Sequence, residues 1–152
     1  MLEILFKLLL LLHILGAICG LGATFASPFI MKNAKNVRTA AYAHQVNCKV
    51  EKLAKMGSVT LLITGLIMGI LHPYLFKAGW YLISIGLYIL TQPFVAYLIP
   101  KHTKTLISIL EQNEGDELPS DYIQVSKKIA PQTLTAQMIL VILVFLMVFK
   151  PF

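Results

Sequence analysis

The chain has 152 residues, of which 57% are hydrophobic and 13% charged, and its net charge is +6. A soluble domain is about half apolar and about a quarter charged, so this composition excludes an ordinary soluble domain. The basic residues form no aromatic-interleaved patch and no nucleic-acid motif, which excludes nucleic acid as a partner. We therefore predict an integral membrane protein whose surroundings are the lipid bilayer.

Four long apolar runs follow one another, at about residues 4–30, 57–72, 79–99 and 133–149. A helix of about 20 residues crosses the hydrocarbon core of a bilayer, which is about 30 Å thick. The second run is short, but residues 36–56 contain no Pro or Gly and predict a helix that leads into it. Residues 105–110 likewise continue as a helix past Pro100. The sequence predicts one all-α domain over residues 1–152, a four-helix transmembrane bundle with helical cytoplasmic extensions.

The distribution of Lys and Arg predicts the orientation. Ten of them lie in residues 31–56 and 100–132, against three elsewhere. Loops rich in Lys and Arg stay in the cytoplasm. We expect a multi-pass protein of the bacterial cell membrane with both termini outside.

Small residues recur four apart in the first two spans, as Gly16 with Gly20 and as Gly65 with Gly69. Such spacing lets the backbones of two membrane helices approach closely. We expect the first two spans to pack through these four glycines.

Two histidines lie on the same helix faces as these glycines: His13 in the first span and His72 at the end of the second. Counting from the middle of each span puts them at depths that differ by about 3 Å. They are candidate ligands of a haem b, candidate members of a proton or ion pathway, or neutral side chains that hydrogen-bond neighbouring helices. His44 and His102, in basic surroundings, are expected to be solvated or to contact headgroups.

The third span carries Tyr88, Thr91 and Gln92 at helical spacing. These side chains predict either a polar pocket that opens inward or hydrogen bonds between helices. The sequence has no H-E-x-x-H and no paired carboxylates, so it gives no support for zinc hydrolase chemistry.

Several short strings in this order resemble a known family. They are LHILGA (12–17), LITGL (62–66), WYL (80–82), ELP (117–119) with Tyr122, and LMVFKP (146–151). Together they resemble bacterial predicted integral membrane proteins of unknown function, domain-of-unknown-function family 2269. The resemblance covers almost the whole chain and implies four helices without an assigned activity.

A more remote likeness rests on His13-x-x-Gly16 in the first span. This outline is similar to the copper-resistance membrane domain and to protoporphyrinogen-oxidase-type membrane proteins, in which haem or metal is implicated. Those proteins often carry a tryptophan where this chain has Cys19-Gly20.

The leading hypothesis is a small membrane protein without enzymatic activity that acts through helix packing, as an accessory subunit or a homo-oligomer. One alternative is a haem b-binding or redox protein that uses His13 and His72. Another is a proton or small-solute pathway lined by His13, Tyr88 and Gln92.

Overall fold

The computed structural model of the protein describes residues 1–151, and within that range it contains helices and turns but no β-strand. The helices are α1 (Leu2–Met31), α2 (Val37–Leu71), α3 (Gly79–Gln92), α4 (Ile99–Glu111) and α5 (Ser120–Phe149). The predicted all-α architecture is confirmed.

The helix α2 begins well before the second apolar run and continues through it for 35 residues. Its first turn is capped reciprocally by Asn36 and Thr39. The Asn36 side chain accepts from the Thr39 N–H at 2.9 Å, and the Thr39 hydroxyl accepts from the Asn36 N–H at 3.0 Å. Such a capping box satisfies two amide groups that a helix start would otherwise leave unpaired. The predicted helical extension before the second span is confirmed.

The third long helix bends without ending. Between α3 and α4, residues Pro93–Leu98 form a wider π-type turn, and the helical path then continues through Pro100 to Glu111. A proline cannot donate the usual backbone hydrogen bond, and a local change of helix type accommodates its ring. The helix predicted for residues 105–110 past Pro100 is confirmed.

Four helical stretches are long and apolar enough to cross a membrane: α1, α2, the continuous Gly79–Glu111 and α5. Their alternating directions place residues 32–56 and 100–132 at one end of the bundle, here called the basic end. The connection at 72–78, Met1 and Lys150 lie at the other end, here called the terminal end. There the Lys150 ammonium lies 5.4 Å from the centre of the Trp80 ring.

The four spans associate as two pairs: α1 with α2, and the continuous helix Gly79–Glu111 with α5. The helix α1 packs along α2, whereas α5 packs against α3 and α4, and α2 reaches α4 at the basic end. An apolar cluster of Ala40, Leu106, Leu110 and Tyr122 joins α2, α4 and α5 at the basic end. Within residues 1–151 no Cα atom of α2 lies within 8 Å of one in α3, so only side chains connect these two spans.

Candidate functional site

His13 holds α1 to α2 through a hydrogen bond to Thr64. Its Nδ1 lies 2.8 Å from the Thr64 hydroxyl oxygen, and Thr64 is only 4% exposed. The Thr64 hydroxyl donates its single proton to the Thr60 carbonyl at 2.6 Å. The hydrogen-bond network therefore assigns the donor role to the His13 Nδ1–H, because the hydroxyl has no second proton.

The glycine contact between α1 and α2 involves a residue that the sequence analysis missed. Gly57 lies against Gly16 and Gly20: a Cβ added to Gly57 would come within 2.5 Å of both the Gly16 carbonyl oxygen and the Gly20 nitrogen. A backbone cannot yield as a flexible side chain does. The closest approach of the first two spans thus lies between Gly57 and the pair Gly16 and Gly20.

Gly65 and Gly69 make room for side chains instead. A Cβ at Gly65 would lie 3.4 Å from the His13 Cε1. A Cβ at Gly69 would overlap the Tyr81 hydroxyl and lie 3.0 Å from the Phe76 ring. Gly65 therefore faces α1 through His13, whereas Gly16 and Gly20 lie against Gly57, because α1 lies four to five residues nearer the start of α2 than the midpoints of the predicted spans suggest.

Two tyrosines of α3 bridge the gap to α2. The Tyr81 hydroxyl donates to the Gly65 carbonyl at 2.9 Å, and the Tyr88 hydroxyl donates to the Ser58 carbonyl at 2.7 Å. The tyrosines are seven residues apart, and so are their acceptors, which fixes one antiparallel register over two helical turns. Tyr88 also contacts the Ser58 hydroxyl.

The other two members of the predicted polar pocket bond within their own helix. The Thr91 hydroxyl donates to the Tyr88 carbonyl at 2.7 Å, and the Gln92 amide donates to the same carbonyl at 3.4 Å. Tyr88 is therefore the one of these three whose side chain hydrogen-bonds another helix. A further tie joins α5 to α1, where the Gln137 amide donates to the Thr24 carbonyl at 3.1 Å.

His72 lies among aromatic rings at the terminal end. Its ring centre is 4.6 Å from that of Phe6 in an edge-to-face arrangement and 5.7 Å from that of Tyr74. His72 is thus level with Phe6 on α1, seven residues before His13, which corresponds to about 10 Å along the helix. The predicted depth match of about 3 Å is wrong.

This offset bears on whether a haem fits between the two histidines. The Nδ1 of His13 is taken by Thr64, and its ring edge lies against Gly65. A pair of axial ligands must face one iron from opposite sides, and side chains about 10 Å apart along the bundle do not. The geometry does not fit a single haem held by His13 and His72. Among residues 1–151, no three His, Cys, Asp or Glu side chains are grouped so that they could hold a metal ion.

The basic end holds a buried polar cluster that the sequence analysis missed. His44 is 3% exposed, and its Nε2 lies 3.0 Å from the Tyr122 hydroxyl. Asn47, one turn further along α2, is 5% exposed and donates to the Glu51 carboxylate at 2.9 Å. The expectation that His44 is solvated is wrong, because α4 and α5 cover this face of α2.

Burial in this cluster favours the uncharged form of His44. Burial lowers the pKa of His44 from its ordinary value of 6.5 and raises the pKa of Tyr122. The His44 Nδ1 and the Asn47 Oδ1 are buried without a partner among the described residues. The two residues lie three positions apart on one face of α2.

Comparison with known proteins identifies one family. The sequence profile described as "Predicted integral membrane protein (DUF2269)" matches residues 7–151. No curated protein and no solved structure compared with the chain matches it. The similarity to copper-resistance and protoporphyrinogen-oxidase-type proteins stays a prediction.

Proposed function

The chain belongs to the DUF2269 family of predicted integral membrane proteins, and we propose that it acts without enzymatic activity, as a helix-packing subunit that pairs with a second copy of itself. The pairing surface is the outer face of α3. The support comes from how the polar groups of the spans are used and from what α3 leaves uncovered.

Several polar side chains inside the spans hold one helix to another. His13 bonds Thr64, Tyr81 bonds the Gly65 carbonyl, and Gln137 bonds the Thr24 carbonyl. Hydrogen bonds between membrane helices contribute about 0.6 kcal/mol each on average, so several together stabilise one arrangement. Groups used in this way favour a packing role over a transport pathway.

The observation that carries the proposal is a notch at Gly86. A Cβ added there would meet nothing within 4 Å. The residues three and four positions to either side are large, apolar and exposed: Leu82 (49%), Ile83 (43%), Ile89 (57%) and Leu90 (66%). A small residue surrounded by four large ones forms a hole that accepts a side chain of another helix. Lipid makes no use of such a hole, whereas contacts between membrane helices are enriched in small residues.

A second copy of the chain suits this surface. The face around Gly86 has no charged residue, so two such faces related by a two-fold axis can meet without charge repulsion. The long helix Gly79–Glu111 is also the least covered of the four. In its most apolar stretch 11% is buried within the protein, against 17–22% in the corresponding stretches of the other three helices. The helix with most free surface therefore carries the notch.

Cysteine cross-linking in native membranes tests the pairing. The background is Cys19→Ser with Cys48→Ser, and a single cysteine is introduced at Leu82 or Leu90. We expect cross-linked chains at twice the 16.9 kDa mass. Ile14, 48% exposed on α1, provides the matched control, and a cysteine there should remain uncross-linked.

Adding Gly86→Leu to these variants should abolish the cross-link, because the added side chain fills the notch. Gly22→Leu is the matched substitution, since Gly22 also has open space around it, and it should leave the cross-link intact. No dimer at Leu82 or Leu90, equal cross-linking at Ile14, or cross-linking only to a protein of another size would each overturn the pairing.

The proposal includes a location: the bacterial cell membrane, with the basic end in the cytoplasm and both termini outside. The excess of Lys and Arg at the basic end supports this orientation. Reporter fusions to the C-terminus test it. A reporter that is active only outside the cytoplasm should be active there, and activity of a cytoplasm-specific reporter would reverse the orientation.

A further inference from the structure

The apolar cluster at the basic end provides a common level on three helices. It joins Ala40 of α2, Leu106 of α4 and Tyr122 of α5, and Ile129 of α5 packs against it. The helices α2 and α5 run from the basic end into the bundle, whereas α4 runs out of it. One turn deeper than the cluster therefore means higher residue numbers on α2 and α5 and lower numbers on α4.

That deeper turn is polar on all three helices. On α2, His44 follows Ala40 by four residues, and on α4, His102 precedes Leu106 by four. On α5, Gln132 follows by three the isoleucine that packs against the cluster. These steps correspond to about 4.5–6 Å along each helix, so the three side chains begin at a similar level. Together with Asn47, which is one turn further along α2, they are here called the polar layer.

Each member of the polar layer has a buried polar atom without a hydrogen-bond partner. These atoms are the His44 Nδ1, the Asn47 Oδ1, the His102 Nδ1 and the Gln132 Oε1. Within residues 1–151 no other fully buried side-chain nitrogen or oxygen lacks a partner. The large majority of buried polar atoms in proteins bond to another protein group or to ordered water. Four exceptions in one layer, contributed by three helices, indicate that the layer binds a ligand.

The free atoms define the chemistry of that ligand. The Asn47 NH₂ group donates to the Glu51 carboxylate at 2.9 Å, so the Asn47 oxygen is left to accept, and the Gln132 oxygen also only accepts. The His44 Nδ1 accepts if Nε2–H donates to Tyr122, and it donates if the Tyr122 hydroxyl donates to Nε2. Water donates and accepts, so it suits the amide oxygens and either tautomer of His44. A cation suits only a nitrogen without a proton.

Bound water would also supply a polar connection for α4. The hydroxyls of Thr103 and Thr105 donate to carbonyls of α4 itself, at 3.1 and 3.2 Å. We propose that the polar layer binds a small cluster of buried water molecules, which links α2, α4 and α5 at the basic end. A buried water typically makes about three hydrogen bonds, so four free protein atoms are enough for about one or two waters.

X-ray radiolysis tests for bound water, because it generates hydroxyl radicals from water inside a protein as well as from bulk solvent. Mass spectrometry then measures the oxidation rate of individual side chains in the full chain in nanodiscs. Tyr122 and Tyr81 are a matched pair: they are 4% and 5% exposed, but the Tyr81 hydroxyl donates to the Gly65 carbonyl. We expect Tyr122 and His44 to be oxidised severalfold faster than Tyr81.

Substitutions assign this oxidation to the polar layer. Asn47→Leu removes an acceptor at similar volume and should lower the oxidation rate of Tyr122 severalfold. Gln132→Leu repeats the test from α5. Gln137→Leu is the matched control, because the Gln137 amide bonds the Thr24 carbonyl directly, and it should leave the Tyr122 rate unchanged. Far-UV circular dichroism checks that each variant is folded, and the comparison within the wild type needs no variant.

Equal oxidation of Tyr122 and Tyr81 in the wild type would show a dry layer and overturn the proposal. So would an unchanged Tyr122 rate in both Asn47→Leu and Gln132→Leu, or an equal loss in Gln137→Leu. Radicals made from hydrogen peroxide by a laser pulse arise in bulk solvent and should leave Tyr122 unmodified. Oxidation by that route would indicate an opening to solvent instead of bound water, and oxidation that appears only after a chelator is added would indicate a cation.

Discussion

Replacing Gly57 with alanine should separate α1 from α2. The new methyl carbon would lie 2.5 Å from the Gly16 carbonyl oxygen and 2.5 Å from the Gly20 nitrogen, and real Cβ contacts essentially never fall below 3.0 Å. Both neighbours are backbone atoms of α1, so the helix as a whole must move by at least half an ångström.

The cost has two parts. Overpacking of a closely fitted contact costs about 1–3 kcal/mol. If the movement also lengthens the 2.8 Å bond between His13 and Thr64, a further contribution of about 0.6 kcal/mol is lost. Alanine is also about 1 kcal/mol more favourable than glycine in a helix interior, so we expect Gly57→Ala to lower the free energy of unfolding by about 1–3 kcal/mol.

Unfolding in mixed micelles, followed by far-UV circular dichroism as the denaturing detergent increases, measures this free energy. Gly22→Ala is the control, because a Cβ at Gly22 meets nothing within 4 Å. In a helix interior, alanine is about 1 kcal/mol more favourable than glycine, so the control should be neutral or stabilising. If Gly57→Ala were as stable as Gly22→Ala, the glycine contact would not hold α1 against α2.

Three further substitutions test individual contacts. Tyr88→Phe removes the hydroxyl that donates to the Ser58 carbonyl and should cost about 0.5–1.5 kcal/mol in the same unfolding assay; no change would mean that the tie contributes nothing. His13→Leu should cost less than Thr64→Val. The Thr64 hydroxyl still donates to a carbonyl when the imidazole is absent, and the opposite order would contradict the assigned donor. Burial lowers the pKa of His44, so the unfolded state binds more protons below about pH 6.5 and stability should fall as the pH drops. His44→Leu should flatten the melting temperature between pH 7 and 5, and an unchanged slope would assign the pH dependence to other groups.

Much of the architecture follows from local patterns in the sequence. The four spans and the turn before Ser120 follow from apolar runs and turn residues, which act over short distances. The helix that leads into the second span is indicated by the absence of Pro and Gly from residues 36–56, and it begins at the cap formed by Asn36 and Thr39. These features depend on residues that are close together in the chain, so they can be predicted from the sequence.

The register between helices could not be obtained in this way. Counting from the midpoint of a short second span placed His13 level with His72, whereas the membrane-embedded part of α2 begins earlier and His13 faces Thr64. The same shift brings Gly57 into the contact. Gly57 has no small residue four positions further on, and a search for paired glycines therefore passes over it.

The burial of His44 could not be predicted from its surroundings in sequence either. Its neighbours on α2 are mixed and partly basic, which is typical of an exposed segment. Tyr122 on α5 lies against His44 across 78 residues of chain, and Leu106 on α4 packs beside it with Tyr122 and Ala40. The apolar period of α4 was a usable signal, since an amphipathic helix outside the membrane needs a surface to cover.

The most direct test of a packing subunit that pairs through α3 is the mass of the protein extracted with its surrounding lipid into nanodiscs. Native mass spectrometry counts the chains in each particle. The proposed pairing predicts two chains of 16.9 kDa for the wild type and for Gly22→Leu, and a single chain for Gly86→Leu. A wild-type protein that is extracted as one chain per particle would contradict it.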